Sequence, residues 1–85
     1  MRSVEIYTTP TCPYCAMAKR LLQKKGVSYT EIDVSRDLGL REAMTQRAKG
    51  RRTVPQIFVG DTHVGGCDDL YELEDAGKLD PLLSA

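Results

Sequence analysis

Cys12 and Cys15, in the run Thr11-Cys12-Pro13-Tyr14-Cys15, are two thiols three residues apart and the residues of this chain best suited to chemistry. A thiolate is the reactive form of cysteine, so the question is what surrounds the pair. Upstream, Val4-Glu5-Ile6-Tyr7 has the composition of a short strand; downstream, Tyr14, Met17, Ala18, Leu21 and Leu22 recur at helical spacing. The thiols therefore fall on a strand-to-helix turn. With Pro13 at the first helical position, where its missing N–H costs nothing, Cys12 is the N-cap and Cys15 the third helical residue. A side chain at that cap accepts hydrogen bonds from the free N–H groups of Tyr14 and Cys15 and meets the positive end of the helix dipole. A thiolate fits there better than a thiol, which makes Cys12 the nucleophile.

The elements that must hold this turn have to fit into one small domain, residues 1–85. A hydrophobic share of 41% and a charged share of 28% are ordinary for a folded globular chain. The start Met1-Arg2-Ser3-Val4-Glu5 enters a strand without an apolar leader, and no stretch approaches membrane-spanning length. The expectation is a cytoplasmic protein without membrane contact, in which three cysteines serve redox or metal chemistry rather than a structural disulfide framework. Net charge is zero but segregated: eleven Lys/Arg against five Asp/Glu up to Arg52, one against seven from Thr53 on. Either these are solvated faces, or the basic part is a rim that attracts an anionic substrate. Nucleic acid is excluded as a partner, because the chain is not basic overall and has no aromatic platform motif.

Lys24-Lys25-Gly26 stops the first helix, with cations in the last turn and a glycine for the C-cap. Val27 to Val34 is the next strand, with Val27 and Tyr29 in one phase and Ile32 and Val34 in the other; strand, helix, strand implies a right-handed parallel unit. Ser35 to Gly39 is a turn with a candidate N-cap. A second helix follows to about Lys49, its face made by Leu40, Ala43, Met44, Arg47 and Ala48, and Gly50 ends it. Pro55 must start the strand Gln56 to Val59 or lie at its edge, since it cannot donate to a ladder. Gly60-Asp61-Thr62 is a three-residue loop, so His63-Val64-Gly65 pairs antiparallel with that strand. Gly65 to Leu70 opens a third helix with Leu70, Leu73 and Ala76 inward. Its two glycines either let a carboxylate or phosphate approach free N–H groups or form only a strand-end turn, with the aspartates only an N-terminal cap. Asp80, as N-cap, and Pro81 begin a last helical turn.

Three motifs, Cys12-Pro13-Tyr14-Cys15, Thr53-Val54-Pro55 and Gly65-Gly66-Cys67-Asp68-Asp69, occur in an order and at separations that resemble the glutaredoxins, in particular the small bacterial class-I dithiol type. The resemblance spans nearly the whole chain. It implies an α/β, thioredoxin-like fold of order β-α-β-α-β-β-α, with a four-stranded mixed sheet flanked by helices and a cis peptide before Pro55. It implies no permanently bound cofactor and no metal; glutathione is ligand and co-substrate, itself reduced by NADPH through glutathione reductase. Position by position, Cys12 resembles the family's nucleophile and Cys15 its resolving thiol. Tyr14 would flank glutathione; Thr53, Val54 and Pro55 would offer it a backbone edge; Gly66, Cys67 and Asp68, assisted by Asp69, would hold its γ-glutamyl end. Implied partners are glutathionylated or disulfide-containing proteins, ribonucleotide reductase among them, met by a monomer. Where many members carry a lysine before the first cysteine, this chain has Thr8-Thr9-Pro10-Thr11; Arg51, Arg52 or Gln56 is the candidate replacement for that contact.

Two routes follow from thiol exchange. Cys12 alone takes glutathione from a mixed disulfide and passes it to a second glutathione; with a protein disulfide, Cys15 displaces the substrate from Cys12. A zinc site from Cys12, Cys15, His63 and Cys67 is the rival of another class, against which stands a spacing unlike zinc ribbons. An iron–sulfur cluster held by Cys12 and glutathione across a dimer is a further rival, disfavoured by the Pro13-Tyr14 pair. Reduction by thioredoxin reductase is a third, disfavoured by the Gly65–Asp69 helix start. Cys67 is either a buried small hydrophobe or a secondary redox thiol.

Overall fold

The computed structural model describes residues 2–84. Four strands, β1 (Val4–Thr8), β2 (Tyr29–Asp33), β3 (Gln56–Val59) and β4 (Thr62–Gly65), form one sheet in the order β2-β1-β3-β4. The β1–β2 pair is parallel and the β1–β3 and β3–β4 pairs are antiparallel, so the sheet is mixed, as expected. Helices α1 (Pro13–Lys24), α2 (Leu38–Arg47), α3 (Cys67–Asp75) and α4 (Leu79–Ser84) cover it.

Period-two side chains divide the core by sheet face. Val4, Ile6, Ile57 and Val59 pack with Ala18, Leu21 and Leu22 of α1, Leu70 of α3, and Leu79 and Leu83 of α4. On the opposite face Tyr7 and Phe58 pack with Met44 and Ala48 at α2. The two phases of the second strand now have a reason. Val27 and Tyr29 belong to the first cluster, and Ile32 and Val34 to the second, so this segment feeds both faces in turn.

Facing was harder to read than existence. On α1 the inward residues are Cys15, Ala18, Leu21 and Leu22, while Tyr14 and Met17, which were expected to share their face, are 59% and 37% exposed. The helix is rotated so that Cys15, not Tyr14, begins the buried stripe. On α2 only Met44 and the C-cap Ala48 are buried, and Leu40 and Ala43 face outward; Leu73 is partly buried on α3, and Ala76 is exposed. Asp37 is the α2 N-cap, its Oδ1 accepting from Leu40 N at 3.1 Å. The β3–β4 turn is two residues, Gly60-Asp61, because Thr62 already pairs with Val59. Helix α4 starts at Leu79, one residue before the expected cap. Lys25 just past α1 joins three helices through ion pairs, 2.7 Å to Glu74 and 3.0 Å to Asp80.

Candidate active site

Cys12 caps α1 with an extended backbone (φ −108°, ψ 106°), and Pro13 opens the helix behind it. The Cys15 N–H donates to Cys12 Sγ at 3.1 Å, one of the two cap bonds expected from spacing; the Tyr14 N–H, the other expected donor, makes no such bond. No acidic side chain stands in the first turn, so nothing there opposes negative charge on the sulfur. Cys12 is half-buried, whereas Cys15 is 1% exposed. Burial, and after it the Cys12 sulfur alongside, push the Cys15 thiol up to about 12. The pair is thus asymmetric: a more accessible sulfur at a helix start, and a covered one kept protonated.

Across from Cys12 runs the segment Thr53-Val54-Pro55, with a cis peptide between Val54 and Pro55, as the resemblance implied. The Cys12 thiol points to Val54 O at 3.8 Å, which places the backbone edge beside this sulfur. The third segment is the start of α3, with Gly66 as N-cap and Cys67 the first helical residue. By helix geometry the N–H groups of Cys67 and Asp68 have no acceptor within the helix. Tyr14, Thr53, Val54, Pro55, Gly66, Cys67, Asp68 and Asp69 line one groove together with Arg51. Its volume of about 160 Å³ lies below the ~300–1,000 Å³ of sites that enclose a small molecule, so a ligand would lie along it rather than inside it.

Asp69 takes the capping part expected of the aspartates at this helix start, and adds a contact to Arg51 that no motif foretold. Its Oδ2 accepts from Gly66 N at 2.8 Å and from Arg51 Nη1 at 3.1 Å, capping α3 and clasping the loop before Thr53. The Gly66 N–H first, and then Arg51, hold its carboxyl below the usual carboxylate range. Gly65 enters this turn at φ +114°, and a Cβ there would collide with Asp69 Oδ2 and with Arg51 Nη1. Two successive glycines before a helix were the available sign of such a close approach. Among the replacements for the missing lysine, Arg51 lines the groove. Gln56 does not qualify: it is fully buried, and its amide is taken up by Thr53 and His63. Arg52 is not among the groove residues. Cys67 is 5% exposed, and burial, followed by Asp68 and Cys12, pushes its thiol up, so it matches a small buried side chain rather than a second nucleophile. His63 turns to Gln56, not to the cysteines.

The glutaredoxin family model matches residues 4–64, a span that holds both cysteines and Pro55 and stops short of α3. Glutaredoxin 3 of Escherichia coli is 57% identical over 83 residues, covering 98% of this chain and 99% of its own. The solution structure of glutaredoxin from Brucella melitensis superposes with a TM-score of 0.86 at 61% identity, covering 98% of this chain and 89% of that one. A crystal structure of a buckwheat glutaredoxin–glutathione complex gives 0.87 at 33% identity, over 95% of this chain and 76% of its own. With two thiols at a helix start beside a cis-proline edge, and with likeness along almost its entire length, this chain belongs to the glutaredoxin family of thiol–disulfide oxidoreductases.

Proposed function

We propose that the chain reduces protein–glutathione mixed disulfides through Cys12 alone, and protein disulfides through Cys12 and Cys15, with glutathione as the electron donor. The observation that carries this reading is the half-buried Cys12 sulfur on the α1 cap, 3.8 Å from the carbonyl of Val54, which lines a groove shared by this backbone edge and the start of α3. Glutathione matches that arrangement. Its carboxylates suit helix N–H groups and Arg51, its peptide backbone suits the Thr53–Val54 edge, and its thiol has to meet Cys12. The buckwheat relative solved as a glutathione complex supports the same ligand.

In the first step the Cys12 thiolate attacks the glutathione sulfur of a mixed disulfide; a Cys12–glutathione disulfide forms, and the protein thiolate leaves and takes a proton. A second glutathione thiolate attacks that bond, oxidised glutathione leaves, and Cys12 is again a thiolate. With a protein disulfide, Cys12 forms the mixed disulfide and Cys15 attacks Cys12 Sγ, giving up its proton as the substrate thiolate departs. Two glutathiones then reduce the Cys12–Cys15 bond, and NADPH restores them through glutathione reductase. Action as a monomer in the cytoplasm, on disulfide-bearing enzymes such as ribonucleotide reductase, completes the reading.

A glutathione-coupled NADPH assay with a small mixed disulfide tests it. Cys12→Ser should lose turnover by on the order of a thousandfold or more, whereas Cys15→Ser should keep it and lose activity only toward protein disulfides. Substantial activity in Cys12→Ser would overturn the assignment.

A further inference from the structure

His63 and Gln56 form a hydrogen-bonded chain that ends on the groove, although neither residue lines it. Gln56 is fully buried on β3. Its Nε2 donates to Thr53 O at 3.0 Å and to Thr53 Oγ1 at 3.2 Å. A backbone carbonyl can only accept, so this end of the amide must be the nitrogen, which leaves Oε1 as an acceptor toward His63 Nε2 at 2.7 Å. His63 Nε2 therefore carries a proton and donates it. The imidazole is in turn held in place by stacking on Phe58, with ring centroids 4.8 Å apart and planes 23° apart; Phe58 is its cross-strand partner. The Arg47 guanidinium lies 4.0 Å from the centroid of the same ring.

The direction of the last link matters. In a trans peptide the N–H points opposite to the C=O, so a Thr53 carbonyl turned inward to Gln56 turns the Val54 N–H outward. That N–H is the donor a peptide-like ligand needs to pair with the backbone edge beside Cys12. We propose that His63, acting through Gln56, is a positioning residue that sets the Thr53–Val54 peptide plane and thereby the affinity of the groove for glutathione. This rests on the glutathione reading given above.

His63→Phe keeps an aromatic ring to stack on Phe58 and removes the donor. Glutathione KM should rise about three- to tenfold, the size of one net hydrogen bond, while alkylation of Cys12 by iodoacetamide keeps its wild-type rate. Because this variant leaves a buried Gln56 oxygen without a donor, it should also lose thermal stability. The double variant His63→Phe/Gln56→Met makes the pair apolar and should regain the melting temperature without regaining KM. Recovery of KM together with stability would show only a structural role and would overturn the proposal, as would an unchanged KM in His63→Phe. Nitrogen-15 relaxation of Thr53 and Val54 adds a readout free of glutathione: their order parameters should fall in both variants. If the wild type failed to turn over with glutathione, the functional reading would fall, and unchanged order parameters would separately sink the relay.

Discussion

Cys15 lies 1% exposed beneath the turn that presents Cys12, and burial, then the Cys12 sulfur, push its thiol up to about 12. The second of these causes disappears once Cys12 is bound in a disulfide. Cys15 should then ionise more readily, at the stage when the proposed dithiol route has it attack. On that route the free protein holds its second thiol in reserve. A pH test follows from the direction of the shift. Between the unfolded thiol value of about 8.5 and the folded value, the unfolded chain gives up a proton that the folded chain keeps, so stability falls as pH rises. Denaturation midpoints of the wild type should decline between pH 8 and 10 more steeply than those of Cys15→Ala, with a difference of at most about 1.4 kcal/mol per pH unit for one proton. Parallel slopes would contradict the burial argument.

At the scale of elements, the start of α3 is the most constrained part of the site, because Gly65, Gly66, Asp69 and Arg51 share one small volume. Gly65→Ala meets both a left-handed backbone and a collision with the clasp. It should cost about 1–3 kcal/mol, seen as a melting temperature lower by roughly 4–8 °C per kcal/mol for a domain of this size. Asp69→Ala loses a cap and should cost about 1 kcal/mol. The Asp69 carboxyl is depressed in the fold, so its contribution is present above the unfolded carboxylate value of about 3.9 and fades as pH falls through the lower folded value. Asp69→Asn should accordingly be closest to wild type at the acid end of a stability profile.

Element existence was legible because local chemistry writes it: Pro13 at a helix start, Gly26 at a helix end, Asp37 at a cap. Rotation was not. Tyr14 and Met17 extend the apolar spacing of α1, yet their side is turned outward, a choice made by the sheet beneath and not by the helix. Both cysteines and the groove segments were visible as motifs. The Arg51–Asp69 clasp and the chain from His63 to Thr53 were not, since each exists only after β3, β4 and α3 have been brought together. Gln56 shows the difference well: by type it could have bound a ligand, but strand pairing turned it inward.

For the molecule as a whole, the segregated charge has a structural use. Lys25 and Arg51, from the basic part of the chain, pair with Glu74, Asp80 and Asp69 from the acidic part, so opposite ends of the sequence are drawn against each other. Neither of the two readings of the charge pattern anticipated this, although Arg51 also reaches the groove. The pairs are partly exposed and contribute orientation more than stability. Thiol exposure is distributed just as unevenly: Cys12 is half-buried, and Cys15 and Cys67 are covered. Oxidation of cysteine is thereby directed to a single thiol that has a partner one helical turn away. Peroxide converts Cys12 to a sulfenic acid; Cys15 attacks that sulfur, water leaves, and a reducible disulfide forms before further oxygen can be added. After a peroxide pulse, intact-mass measurement of the wild type should show a loss of two hydrogens that dithiothreitol reverses. Cys15→Ser should instead accumulate sulfinic and sulfonic acid, two or three added oxygens that dithiothreitol does not remove, which would give the buried cysteine a protective part beside its part in exchange.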